Sequence, residues 1–481
     1  MVKKEIAAGP FEPTWESLRQ FQCPDWFRDA KFGIWSHWGP QSVPMYGDWY
    51  ARHMYVEGSD QYRYHSRKYG HPSRFGYKDV LKLWKAEAFD PDGLMNLYVD
   101  AGAKYFVAQA AHHDNFHNWN SSHHPWNSVK MGPHKDIIQL WQDAAQKRGL
   151  PFGFSEHIGA TFSWYVPNKG ADKNGPYAGV PYDGNDPAFE DLYLPNRGAS
   201  IKEWYTSNPW WHEKWFSYVK ELVDVYHPDL LYSDGGVPFG EYGLNMIAHL
   251  YNSNARQHGG TNQAVYTQKD KNGDVLSVGV FDIERSQTNE ILPYIWQTDT
   301  SVGDWFYNVR DVYKTPKQVA EMLVDIVSKN GNLLLSIPQR PDGTLDDECT
   351  FLLKQTAAWI KVNGEGIYGT RPWKVAGEGP SQVLNEGFKE DAVPWTIEDF
   401  RFTTRGGYLY AFQMKWPEGG KTVIRSLARG IVPDVTAVSL LGYDGPVVYE
   451  QTSRGLAIDL PEVKPTEYTQ CYRIDLSPVR I

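Results

Sequence analysis

Positive charge is in short supply: 48 Lys and Arg stand against 58 Asp and Glu, a formal net charge of −10 over 481 residues. Polyanion binding needs clustered basic residues. No such patch occurs along the chain, which argues against nucleic acid as a partner. Only three cysteines are present, Cys23, Cys349 and Cys471. Their separation suggests neither a disulfide framework nor a zinc cluster. No run reaches the roughly 18 consecutive apolar residues of a membrane-spanning helix, so no membrane span is expected. The N-terminal MVKKEIAAGPFEPTW has basic residues but no apolar core, so it does not read as an intact secretory signal. A glycine-rich nucleotide fingerprint is also missing after the first strand-like run, which disfavours a dinucleotide-binding doubly wound sheet.

What the chain has in excess is aromatic rings. Aromatics make up 15% of the residues, with 20 Trp and 30 Tyr. The C–H faces of sugar rings pack on the electron-rich faces of indole and phenol, so a carbohydrate partner competes with a merely large aromatic core.

From residue 30 to about 368, apolar runs alternate with helical patterns. Candidate strands are 31–38, 104–110, 151–156, 229–235, 264–268, 294–299 and 332–337. Several are continuous apolar runs of the kind that parallel strands buried on both faces require. Amphipathic patterns fall between them at 90–103, 135–149, 210–226 and 315–331. The last has Thr315 as N-cap, Pro316 at the first helical position and a stripe of Val319, Met322, Leu323, Ile326 and Val327. Strand–helix repetition over this length predicts an α/β (β/α)8-type barrel catalytic domain over 1–370. Residues 371–481 lose helical periodicity and offer seven short β-like runs separated by Gly, Pro and Asp, which predicts a C-terminal antiparallel β-sandwich. No Ser/Gly linker separates the two, so they should be docked. The C-terminal part shows no aromatic platform, and bracing of the barrel is its expected role.

A barrel builds its site from the C-terminal ends of its strands. The first strand ends at His37-Trp38-Gly39, the second at His112-His113 and the third at Ser155-Glu156-His157. The fourth ends at Asp234, and the run at 294–299 ends in Trp-Gln-Thr-Asp. Adjacent strand residues point to opposite faces, so His112 and His113 can share one site only where the strand has ended or bulged. Metal ligation would prefer helical or alternate spacing, and neither a metal nor another cofactor is expected. A histidine hydrogen-bonded under the barrel rim is the bland alternative. Neutral imidazoles gripping sugar hydroxyls fit better, since each offers one donor and one acceptor at fixed angles.

Glycoside hydrolysis takes two carboxyls, one ionised and one protonated. Asp234 ends a buried strand and is followed by two glycines, which leaves room beside it for a nucleophile's substrate. Spacing alone does not choose its partner among Glu284, Asp48, Glu57, Glu156, Glu241 and Glu290.

Six ordered blocks narrow this further: KFGIWSHWGPQSVPMYGDWYARHMY, YFVAQAAHHDNFHNWNSSHHPWNS, HPDLLYSDGG, WQTDTSVGDWFYN, VSKNGNLLLSIPQRPDGTL and WIKVNGEGIYGTRPW. Together they resemble the α-L-fucosidases of glycoside hydrolase family 29, from about residue 12 to 373. The resemblance implies exo-acting, retaining release of α-L-fucose from oligosaccharides, polysaccharides or glycoconjugates. It places Asp234 on the family's nucleophile and Glu284, in FDIERSQ, on its acid/base. His37, His112 and His113 fall on sugar-binding positions, and Trp49 on a tryptophan lining the sugar subsite. Tyr232 stands where the family often has Trp, and Asp48 where it commonly has Glu. An apolar wall for the 6-methyl group of fucose is expected from Trp296, Trp305 or Phe306. An α-L-galactosidase on the same scaffold is the nearest rival, and Asp48 and Ser36 leave it open. A fucose-binding protein without catalysis and a metal-dependent hydrolase built on the histidines are the rivals from other classes. The N-terminus reads equally as a cytoplasmic start or as the end left by a removed leader; in the second case a periplasmic or secreted location is expected.

Overall fold

A computed structural model describes residues 4–383, 390 and 392–477. Eight parallel strands close into a barrel in sequential order. They are β1 (Phe32–Ser36), β2 (Tyr105–Ala111), β3 (Phe152–Glu156), β4 (Leu230–Ser233), β5 (Val265–Gln268), β6 (Val280–Asp282), β7 (Trp296–Ser301) and β8 (Gly331–Ser336). Closure is direct: β1 pairs in parallel with both β2 and β8. Every residue of these strands is buried, which accounts for their continuous apolar runs.

Helices α1 (Pro91–Asp100), α2 (Ile137–Gln146), α3 (Pro209–Tyr226), α4 (Glu241–Gln257), α5 (Pro316–Ser328) and α6 (Asp347–Asn363) surround the barrel. Helix α5 begins as its sequence demands. Thr315 Oγ1 accepts from the Gln318 amide at 3.2 Å, and the Gln318 side chain accepts from Thr315 N at 2.7 Å, a closed capping box.

The sequence pattern marks seven barrel strands, and the structure has eight. The extra one, β6, is three residues long, too short for any periodicity to register. Helices α4 and α6 also go unmarked. Asn, His and Tyr lace the apolar positions of α4, although most of that helix is buried.

Beyond the barrel, β9 (Arg371–Glu378), β10 (Phe400–Arg405), β11 (Tyr408–Gln413), β13 (Val435–Leu440) and β16 (Gln470–Leu476) form a five-stranded sheet in the order β13-β16-β11-β10-β9. Strands β12 (Lys421–Ile424), β14 (Tyr449–Thr452) and β15 (Gly455–Asp459) form a second sheet. The pairings within both are antiparallel. Phe400, Phe402 and Ile474 of the first sheet share a core with Ile424, Leu456 and Ile458 of the second.

Barrel and sheets are joined by charge as well as by packing. Asp325 of α5 is buried and receives Lys329 Nζ at 2.5 Å and the guanidinium of Arg401 from β10. Removing one member of a buried ionic cluster strands the others without compensation. Asp325→Ala is therefore expected to lower stability by about 3 to 5 kcal/mol, read from urea unfolding followed by tryptophan fluorescence.

Candidate active site

A pocket of about 460 Å³ opens at the C-terminal end of the barrel, and successive strand ends supply its walls. His37 follows β1, His112 and His113 follow β2, and His157 follows β3. Asp234 follows β4, Lys269 follows β5 and Glu284 stands two residues beyond β6. The loop after β1 adds Asp48 and Trp49, and the loop after β7 adds Trp305.

The adjacent histidines share this pocket because the strand ends irregularly. The β2–β3 register slips between Gln109 and Ala111, so β2 carries one more residue than its partner. Strand pairing then stops, and both imidazoles turn inward. The His112 ring accepts at Nδ1 from Gln41 Nε2 at 2.7 Å, which leaves Nε2–H for the pocket. The His113 ring donates from Nδ1 to the His157 carbonyl at 2.5 Å and brings Nε2 to 3.4 Å from Asp234 Oδ2. Burial lowers the basicity of His37 and His112 well below the ordinary value and that of His157 to about 3, so these three rings are neutral near pH 7. His37 Nδ1, His157 Nε2 and Asp48 Oδ1 are buried with no hydrogen-bond partner among the described residues. Buried polar atoms left open in this way call for an outside partner rich in hydroxyl groups. The same atoms fix which groups could hold an ion: His37, His112 and His157 form one set, and His113, His157 and Asp234 another.

Asp234 is aimed by its neighbours. Its carbonyl accepts from Tyr205 Oη at 3.1 Å. A Cβ at Gly235, whose φ is +120°, would stand 2.2 Å from that same hydroxyl, so the residue after Asp234 must be glycine. Burial alone would raise the Asp234 carboxyl, yet the Lys269 ammonium at 2.8 Å and the contact with His113 hold it well below the usual carboxylate range. Glu284 hydrogen-bonds to the same ammonium. Burial pushes its carboxyl up to about 7; Lys269 opposes that rise, and the charges of Asp299 and Asp234 reinforce it. Two carboxyls on one ammonium are separated by no more than about two hydrogen-bond lengths. That suits the roughly 5 to 5.5 Å spacing of retaining glycosidases better than the roughly 6.5 to 9.5 Å of inverting ones.

Two of the residues assigned to the sugar stand elsewhere. Trp296 lies outside the barrel wall: its ring is fully buried and its Nε1 donates to the Lys329 carbonyl at 2.9 Å. Strand alternation gives the reason, since Gln297 and Asp299 of β7 face the interior and Trp296 has the opposite parity. Tyr232 faces inward but lies one layer below the pocket, where its hydroxyl donates to Asp299 Oδ2 at 2.9 Å. Of the three rings considered for the methyl wall, Trp305 lines the pocket, and Phe306 packs edge-on behind His37 and His112. The rival carboxyls are also placed. Glu156 faces outward to Ser233 Oγ at 2.6 Å and Trp215 Nε1 at 3.0 Å, Glu57 binds the amide of Lys173, and Glu241 and Glu290 are exposed.

Lys269, His157, Trp204, Trp35 and Asp299 also line the pocket, and the sequence reading gives none of them a role. Lys269 and His157 were within reach of the rule that strand ends supply a barrel's site. Trp204 comes from the excursion between β3 and α3, which has no periodicity to mark it. Its ring lies nearly parallel to Trp49, with centroids 6.4 Å apart, beside the loop that carries Asp234.

An eight-stranded barrel with paired carboxyls, open imidazoles and exposed indole faces at its mouth defines a glycoside hydrolase of the two-carboxylate kind. The α-L-fucosidase family model matches residues 1–365, and the model of the α-L-fucosidase C-terminal domain matches residues 394–474. The chain belongs to the α-L-fucosidase family. It is 29% identical to the tissue α-L-fucosidase of Rattus norvegicus over 475 residues, covering 96% of this chain and 90% of that protein. The Thermotoga maritima α-fucosidase in complex with fucose superimposes with a TM-score of 0.75 at 25% identity, covering 96% of this chain and all of that one. The same enzyme in complex with a mechanism-based inhibitor gives a TM-score of 0.76 at 26% identity, over 96% and 99% of the two chains.

Proposed function

We propose that this α-L-fucosidase removes terminal α-L-fucose by double displacement, with Asp234 as nucleophile and Glu284 as acid/base. One observation carries the assignment: two carboxyls of opposite protonation share a single ammonium at the mouth of the barrel. The ionised Asp234 attacks the anomeric carbon while Glu284 gives its proton to the departing oxygen, and a β-fucosyl ester forms on Asp234. Esterification removes one negative charge from beside Glu284. Its proton affinity falls, and the carboxylate then takes a proton from the water that cleaves the ester. The open nitrogens of His37 and His157, His112 Nε2–H and the Asp48 carboxyl hold the ring hydroxyls. Trp305 offers the apolar face against which the 6-methyl packs. This proposal treats the histidines as sugar ligands, so no ion takes part in the reaction.

The test is release of nitrophenol from aryl α-L-fucoside and aryl α-L-galactoside in the presence of EDTA. Hydrolysis of the fucoside unchanged by the chelator is expected. The galactoside, which adds one hydroxyl against Trp305, should turn over some 10- to 100-fold more slowly. Preference for the galactoside, or loss of activity with EDTA, would sink the assignment.

A further inference from the structure

At the pocket floor and just beneath it lies a second pair of acids that the reaction as described does not use; one of them, Asp299, lines the pocket. Asp299 of β7 and Asp282 of β6 point into the barrel interior and hydrogen-bond to each other. Both are buried. Tyr232 Oη donates to Asp299 Oδ2 at 2.9 Å and lies 3.5 Å from Asp282 Oδ1. Asp282 Oδ2 accepts from Gln297 Nε2 at 2.5 Å, and Gln297 Oε1 accepts from Tyr105 Oη at 2.6 Å. Asp299 Oδ1 is buried with no donor among the described residues.

Two carboxylates in contact in a dry interior cannot both be ionised. A proton on Asp282 resolves the conflict, because it supplies a donor between two groups that could otherwise only accept. The remaining charge then sits on Asp299, the member that faces Lys269 with 3.6 Å from Oδ2 to Nζ. Lys269 is thus held from below by Asp299 and from above by Asp234 and Glu284. The charged and titratable groups facing Glu284 are Asp48 from the loop after β1, Tyr232 on β4, Asp234 after β4, Lys269 after β5 and Asp299 on β7, with Arg285 next in the chain.

We infer that Asp299, with Asp282 holding the shared proton, is a positioning residue for the fucosidase reaction: its fixed negative charge pins the Lys269 ammonium beneath the catalytic carboxyls and supports the proton on Glu284. The inference rests on Glu284 being the acid/base. It adds that Glu284 has two anionic neighbours, of which the reaction cancels one. Esterification neutralises Asp234 and leaves Asp299 charged, so part of the upward push on Glu284 persists into the second step.

Asparagine substitutions separate the charge from the packing. In Asp282→Asn the charge stays on Asp299, and the alkaline limb of kcat/KM should remain where it is in the wild type. In Asp299→Asn the remaining charge moves to Asp282, away from Lys269, and the limb should move to lower pH. In the double variant no charge is left, and the limb should fall by about one pH unit. The sign follows from the chemistry: kcat/KM needs protonated Glu284, and loss of a nearby anion releases that proton at lower pH. A double variant that keeps the wild-type limb overturns the inference. If the double variant fails to fold, the two single variants decide, and equal limbs in them overturn it. Glu284→Gln runs in the same series. A limb that survives Glu284→Gln removes the acid/base assignment and this inference with it; a limb that vanishes there yet is unmoved in the double variant overturns the inference alone.

Discussion

Asp234→Gly is expected to reduce hydrolysis of aryl α-L-fucoside by roughly 10⁴-fold or more, the scale on which losing a covalent nucleophile acts. The glycine leaves a void lined by His113, His157 and Lys269, which face Asp234 at 3.4, 3.8 and 2.8 Å. Two imidazole rings and a cation around the vacated space suit a small anion. Azide should therefore enter, attack the anomeric carbon from the vacated face and restore turnover. The product should be β-fucosyl azide, inverted relative to the substrate because one displacement replaces two. Near-normal hydrolysis by the variant would move the nucleophile elsewhere, and rescue giving the α-azide would rule out attack from the Asp234 side.

Glu284→Ala should have the next largest effect, and its size should depend on the leaving group. Fucosides whose departing oxygen needs a proton should lose about 10²- to 10⁴-fold in kcat/KM, the usual worth of a placed general acid. Activated aryl fucosides need little protonation and should lose far less in the first step. The pH dependence follows the raised carboxyl of Glu284, which lies at about 7. The wild type should be fully protonated at this group well below pH 7 and should lose kcat/KM as pH rises through it, and the variant should lose that limb. Azide acting on the fucosyl-enzyme should give the α-azide, the opposite anomer to that from Asp234→Gly. The same anomer from both variants would contradict the division of roles.

The barrel was legible in the sequence because parallel strands buried on both faces leave unbroken apolar runs, and Thr315-Pro316 announces its helix before any packing is considered. The place of Asp234 at the mouth was legible for a related reason. A polar residue that abruptly ends such a run, with two glycines after it, has few places to be except the mouth. Trp296 shows where this reasoning stopped. It lies in the same motif as Asp299, and only the parity of β7 decides which of the two looks inward. Tyr232 has the correct parity but sits one layer too deep, a distinction of strand tilt that spacing does not carry. Lys269 escaped for a different reason: a lysine after a strand usually faces solvent, and its value here comes from three carboxyls brought from separate segments of the chain.

The irregular end of β2 bears on how such a site could arise or be lost. A regular strand end presents one side chain in two to the mouth of the barrel, and a slip of one residue against β3 presents consecutive ones. Two consecutive imidazoles at the mouth therefore need neither a new loop nor a new domain, only one residue that the neighbouring strand does not match. The same arithmetic runs backwards. A one-residue deletion near Ala110 would keep the hydrophobic character and length class of β2, and the barrel could still close, yet one of the two histidines would be turned away from the sugar. In this fold the count of ligands at a strand end is a matter of register, and a change that looks silent by composition can abolish recognition.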